Sequence, residues 1–144
     1  MISGFESRVF ELINTERVEN NLDPLRINEQ LEMAAEYHSQ SMANDDFFSH
    51  QGIDGSTPFE RMRDQGYSYQ AGAENIAAGF TTPESVVNAW MGSSGHRANI
   101  LNEGFTEMGI GHQYNANDTG QINYFHYWTV DFGTPLGNSF GSTV

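Results

Sequence analysis

Glu107-Met108-Gly109-Ile110-Gly111-His112-Gln113-Tyr114 is followed, after a polar stretch, by Ile122-Asn123-Tyr124-Phe125-His126-Tyr127-Trp128-Thr129-Val130-Asp131-Phe132. The first run alternates, with Met108, Ile110, His112 and Tyr114 on one face and Gly109, Gly111 and Gln113 on the other. That is the period of a β-strand. The second run is dense in aromatic and β-branched residues on both faces, as in a strand covered from both sides. Asn115 to Gly120 (Asn-Ala-Asn-Asp-Thr-Gly) supplies turn chemistry between them, so the pair is expected to form an antiparallel hairpin.

Working outward, the chain before residue 104 changes period. Phe5, Val9, Leu12 and Ile13 fall at helical spacing over about Ser3 to Asn20, and Asn20-Asn21 with Asp23-Pro24 end that helix. Asn28 caps a second helix whose stripe is Leu31, Ala34, Ala35, His38 and Met42. Thr57-Pro58-Phe59-Glu60 opens a third with a cap, a proline at the first helical position and a capping-box glutamate. Thr82-Pro83-Glu84 repeats that start for a fourth, carrying Val86, Val87, Ala89 and Trp90. Helices precede strands instead of alternating with them. The expected class is therefore α+β, a three-layer α-β-α sandwich in which helices cover both faces of a small antiparallel sheet.

The 144 residues make one domain, with ten Phe, six Tyr and two Trp to fill its core. Nineteen acidic residues face six basic ones, all arginine, for a formal charge of −13. Such a field repels phosphate backbones and anionic headgroups, so nucleic acid and polybasic membrane docking are not expected. It suits cations or life in salt, where screening relieves self-repulsion. The absence of cysteine removes disulfides, cysteine-ligated zinc and a thiol nucleophile together. No apolar run is long enough for a membrane span, and Met1 to Phe10 does not read as a signal peptide, so the expectation is either a cytoplasmic protein or a mature exported domain.

Familiar catalytic signatures are missing: there is no phosphate-binding loop, no Gly-x-Ser-x-Gly elbow, no His-Glu-x-x-His and no calcium loop. Five histidines remain. His38 lies on an apolar helical stripe and reads as a core imidazole; His112 and His126 fall on strands and can meet across the hairpin. His50, in Phe48-Ser49-His50-Gln51-Gly52, and His96, in Ser93-Ser94-Gly95-His96-Arg97, sit among turn residues, where a rigid scaffold displays functional groups. Glu74, in Ala73-Glu74-Asn75-Ile76, precedes an apolar run and therefore needs a buried partner, structural or functional.

These residues fall in spaced elements. They are Leu12-Ile13-Asn14 with Arg17; Leu25 followed by Asn28, Leu31, Ala34-Ala35 and His38-Ser39; Phe48-Ser49-His50; and Ala73-Glu74-Asn75-Ile76-Ala77. Trp90-Met91, Ser93, Gly95-His96-Arg97, Asn99-Ile100-Leu101 and Tyr127-Trp128-Thr129, Asp131-Phe132-Gly133 complete them. From about Val9 to Gly133 the set resembles the CAP superfamily (cysteine-rich secretory, antigen 5 and pathogenesis-related proteins) in its bacterial SCP-like extracellular branch.

The resemblance implies an α-β-α sandwich, an extracellular location and a solvent-accessible cleft lined by a His and Glu cluster. It places His50, Glu74 and His96 in that cleft. Two departures stand out. Ser93 occupies the position of a second family glutamate, and the family's strand histidine corresponds to Tyr127, or to His126 if the alignment slips by one. Such a slip turns a side chain to the opposite face. A neutral imidazole pair plus a carboxylate is an incomplete ligand set for Zn²⁺ or another divalent cation, so His50, His96 and Glu74 form the candidate metal set, with His126 as a further candidate.

The resemblance implies a secreted binding module for a small apolar ligand or a protein partner, and a monomer is expected. Glycines at 72, 79, 109 and 111 are expected to let a ligand approach the backbone closely. The alternatives are a metal-dependent, peptidase-like hydrolase, with Glu74 as ligand or base, and a scaffold with a vestigial cleft.

Overall fold

A computed structural model describes residues 3–136. Helix α1 (Gly4–Glu19) starts at Ser3, whose hydroxyl accepts from the Glu6 amide while Glu6 reaches back to the Ser3 amide. Strand β1 is only Arg26–Ile27, and α2 (Glu29–Asp45) follows, with the Asn28 side chain accepting from the Gln30 and Leu31 amides. Thr57 and Thr82 cap α3 (Pro58–Asp64) and α4 (Pro83–Met91), each with proline in the first turn. Strand β2 spans Tyr69–Ala78, α5 Ser94–Ile100, β3 Glu107–Tyr114 and β4 His126–Pro135.

The sheet order is β1-β3-β4-β2. β4 pairs antiparallel with both β3 and β2, as the alternating patterns require. The sheet is mixed, however, because Arg26 and Ile27 pair in parallel with Glu107 and Met108. A two-residue strand has too short a pattern to be seen in the sequence. The three-layer architecture itself is the one expected.

One face of the sheet packs against α1, α4 and α5 through Val9, Ile13, Val86, Trp90 and Ile100, which meet Met108, Ile110, Trp128, Val130 and Phe132. The other face takes α2 and α3 through Leu31, Ala34, Met42 and Met62, with Ile76 and Tyr127 of the sheet against Met42 and Ala43. Fully burying each such side chain stabilises by about 1.5–3 kcal/mol.

Gly109 and Gly111 explain how close α2 lies. A Cβ at Gly109 would sit 2.1 Å from the Glu32 amide nitrogen, and one at Gly111 would sit 2.3 Å from the Ala35 carbonyl oxygen. The close approach expected for a ligand at these two glycines is made by the α2 backbone instead.

The β3–β4 connection is longer than the six-residue turn read from the sequence. Strand β4 begins at His126, not at Ile122. Asp46 accepts from the Gln121 and Ile122 amides, Asp118 accepts from Phe125, and Phe125 itself takes φ 69°. Side chains have captured the backbone groups that a strand would have paired.

Arg17 shows what its motif position is for. Its guanidinium is buried and donates to the carbonyls of Asp23, Ile100, Asn102 and Phe105, tying α1 to the segment between α5 and β3.

Candidate functional site

β2 is an edge strand, and its consecutive residues Glu74 and Asn75 point to opposite faces, as strand geometry demands. On the α2 face, Glu74 Oε1 accepts from His50 Nδ1 at 2.9 Å. Arg61 Nη2, from α3, donates to both Glu74 oxygens at 3.2 and 3.1 Å and to the His50 carbonyl at 2.8 Å. On the other face, Asn75 Nδ2 donates to the His96 carbonyl at 3.1 Å, and its Oδ1 accepts from Asn99 Nδ2 at 2.9 Å. Two adjacent residues thus fix the His50 loop on one side of the strand and α5, with His96, on the other.

Electrostatics follow from burial. Burial alone would raise the Glu74 carboxyl, but hydrogen bonds from His50 and Asp131 and the charge of Arg61 outweigh it, so Glu74 is held below its ordinary range. Asp131 lies directly across the ladder. Burial, then the Glu74 charge, push Asp131 well up. Among the described residues no N–H or O–H donor reaches either Asp131 oxygen, which suits a neutral carboxyl that donates to Glu74.

His38 is the core imidazole expected, with one addition. Its Nε2 donates to the Ser49 carbonyl at 2.7 Å, so it also anchors the loop that carries His50. Burial lowers it and keeps it neutral.

The His50 side chain is half exposed, and its Nδ1 is committed to Glu74, which leaves Nε2 for the cleft. His96 is on helix α5, not in a turn as its glycine and serine neighbours suggested. Burial, then the nearby His50, lower the His96 imidazole. Its Nδ1 meets Ser93 Oγ at 3.0 Å, and Ser93, although the N-cap of α5, makes no side-chain capping bond. Ser93 therefore orients His96.

Beside His96 runs a groove of about 370 Å³ whose walls include Phe48, Ile76, Phe80, Trp90 and Tyr124, with Ser93 and His96 at its polar end. None of its lining side chains carries a fixed charge. A second cavity of about 410 Å³ is lined by Arg17, Asp23, Arg26 and Glu103 and has mixed charge.

His50, Glu74, His96 and Ser93 therefore cluster around the β2 edge. His126 and Tyr127 do not join them. Tyr127 faces α2, fully buried, donates to Asp118 and accepts from the Tyr124 amide at 3.2 Å. Burial, then Asp118, push its phenol up to about 12. It holds the loop that brings Tyr124 to the groove. His126 lies on the opposite sheet face against His112.

Sequence reasoning left out Arg61 as the partner of Glu74, and Asp131 and Tyr124 as site residues. Asp131 carried a signal, an acid inside an otherwise apolar covered strand.

The sequence profile of the CAP family (cysteine-rich secretory protein family) matches residues 10–132. The chain is a CAP domain. It is 47% identical over 131 residues to the uncharacterized protein YkwD of Bacillus subtilis (strain 168), covering 91% of this chain and 48% of that protein. An extracellular SCP-domain protein of Bacillus anthracis str. Ames superposes with TM-score 0.79 at 30% identity, covering 91% of this chain and 40% of that one. An outer surface protein of Borrelia burgdorferi shares the fold, with TM-score 0.80 at 24% identity over 90% of this chain and 92% of its own. This CAP domain thus spans about half the length, or less, of its Bacillus relatives. Among its described residues no helix is long and apolar enough to cross a membrane.

Proposed function

We propose that this CAP domain is a secreted binding module that takes a small apolar molecule in the groove along β2, with the ligand's polar end against His96 and Ser93. The observation that carries this reading is the groove itself. In a chain of net charge −13, a pocket walled by Phe48, Phe80, Trp90 and Tyr124 without a fixed charge is matched to an uncharged, apolar guest. Export is supported by the Bacillus anthracis relative, described as extracellular, and the Borrelia relative, described as an outer surface protein.

The test is a titration with the neutral dye Nile red. The wild-type protein is expected to give a saturable blue-shifted emission. Ala89→Trp, which fills the groove, is expected to weaken binding at least tenfold while the melting temperature stays close to wild type. Retained affinity in that variant refutes the reading.

A metal-binding reading rests on one observation. The Glu74 bond fixes the His50 tautomer so that Nε2 presents a lone pair, the arrangement of a carboxylate that orients a metal-ligating histidine. The full set of His50, His96 and Glu74 fits a Zn²⁺ ion poorly, because both Glu74 oxygens are taken by Arg61 and His50. Among the described residues, the one trio with ligand atoms within 4.8 Å of one another is Glu6, Glu32 and Glu36, away from the cleft. Calorimetric zinc titration of wild type against His50→Ala/His96→Ala decides it: one-site binding lost in the variant supports the reading, and absent or retained binding refutes it.

A further inference from the structure

His126 and His112 come from neighbouring antiparallel strands, where His112 pairs with Trp128 and His126 with Tyr114. On the α1 side of the sheet, His112 Nε2 and His126 Nδ1 meet at 2.9 Å. The rings are 21° from coplanar with centroids 5.2 Å apart, so they lie end to end. Aromatic rings flank both imidazoles. The Trp128 ring lies 4.2 Å and the Phe5 ring 5.1 Å from His112, and the Tyr114 ring lies 4.7 Å from His126. Both imidazoles are half-buried, which leaves the pair one open side.

We propose that His112 and His126 form a two-nitrogen chelating site for a late first-row divalent cation of the Cu²⁺ or Ni²⁺ type, separate from the cleft. The spacing selects the metal. Metal–imidazole bonds of about 2.0–2.1 Å spanning this nitrogen separation subtend an angle of about 90° at the ion. That is the cis angle of tetragonal or square-planar coordination, favoured by Cu²⁺ and Ni²⁺, whereas tetrahedral Zn²⁺ needs its nitrogens farther apart. A tilt of each ring toward the open side turns its lone pair from its neighbour to the ion while the two nitrogens stay near their present separation, and water fills the remaining positions.

The proton balance is neutral. The single proton between the rings moves to the outer nitrogen of the ring that carries it, His112 Nδ1 or His126 Nε2, so no proton is lost. Burial, then His126, hold His112 down to about 4, and burial lowers His126, so both are uncharged ligands at neutral pH. Glu6 Oε2 accepts from the His112 amide at 3.0 Å, which ties α1 to β3 beside the pair. Cleft residues play no part.

Trp128 makes the site readable, because Cu²⁺ bound to His112 lies within quenching distance of its indole. Chelator-stripped protein in a non-coordinating buffer at pH 7 is titrated with CuCl₂ while tryptophan emission is followed. Saturable quenching at one equivalent is expected, at least tenfold weaker in His126→Gln and unchanged in His50→Ala/His96→Ala. Electron paramagnetic resonance of the one-equivalent complex is expected to show tetragonal Cu²⁺ with two nitrogen couplings, reduced to one in His126→Gln. The absence of saturable quenching, equal affinity in His126→Gln, or loss of quenching in the cleft variant overturns the proposal. Thermal melts in metal-free buffer confirm that each variant is folded.

Discussion

Glu74 and Asp131 face each other across the β2–β4 ladder, both buried, one below its ordinary range and the other well above it. Two carboxyls this close cannot both ionise without severe cost, so the pair shares a proton and carries one charge. That charge is neutralised by Arg61 and oriented toward His50. Asp131 thereby lets Glu74 stay ionised in a buried site.

Asp131 binds its proton more tightly folded than unfolded. Between the ordinary aspartate value and its raised folded value the native state holds the extra proton, so stability falls as pH rises. Asp131→Asn keeps a hydrogen-bond donor to Glu74 and removes that slope. The variant is expected to gain on wild type as pH rises from 5 to 9 in urea unfolding. A constant offset between the two would contradict the shared proton.

Glu74 behaves in the opposite sense. Its depressed carboxyl contributes stability above the unfolded value that is lost as pH falls through the folded one. Glu74→Gln leaves the Arg61 guanidinium, 3% exposed, without its carboxylate. Removing one partner of a buried pair costs about 3–5 kcal/mol. Urea midpoints at pH 7 check this, and a loss below about 1 kcal/mol would mean that water reaches Arg61.

The His112–His126 pair predicts an acid limb. Because His112 is pushed down to about 4, its neutral form stabilises the fold fully above the unfolded histidine value, near 6.5, and progressively less as pH falls toward 4. His112→Phe is expected to flatten stability over that window, and an unchanged slope would place the acid sensitivity elsewhere.

Gly111 predicts a packing failure. Its missing Cβ is replaced by the α2 backbone, which cannot move without shifting the whole helix. Gly111→Ala is expected to destabilise by at least about 1–3 kcal/mol, whereas Gly95→Ala, in open space, stays within about 0.5 kcal/mol. Thermal melts of the two variants give the comparison.

Much of this was legible in the sequence where a local pattern decides the outcome. Thr57-Pro58 and Thr82-Pro83 announced their helices, and the alternation from Glu107 to Tyr114 announced β3. His50 and Glu74 came from motif context and meet directly. The sequence concealed what tertiary contacts decide. α5 is a short helix held by Asn75, β1 is two residues long, and the strand expected at Ile122 yields its amide to Asp46. His126 and Tyr127 lie one residue apart on opposite faces of β4, so neither could be assigned to the cleft without the register, and neither reaches it. In the observed register Glu74 lies opposite Asp131, and Ala77 and Ala78 lie opposite Trp128 and Tyr127.

The central claim, that the groove along β2 is the ligand site, is tested most directly by amide chemical-shift mapping during titration with Nile red. The account predicts shifts concentrated at Phe48, Ile76 to Ala78, Ser93, His96 and Tyr124. Shifts centred on Arg17, Asp23 and Arg26, around the charged cavity between α1 and β3, would contradict it.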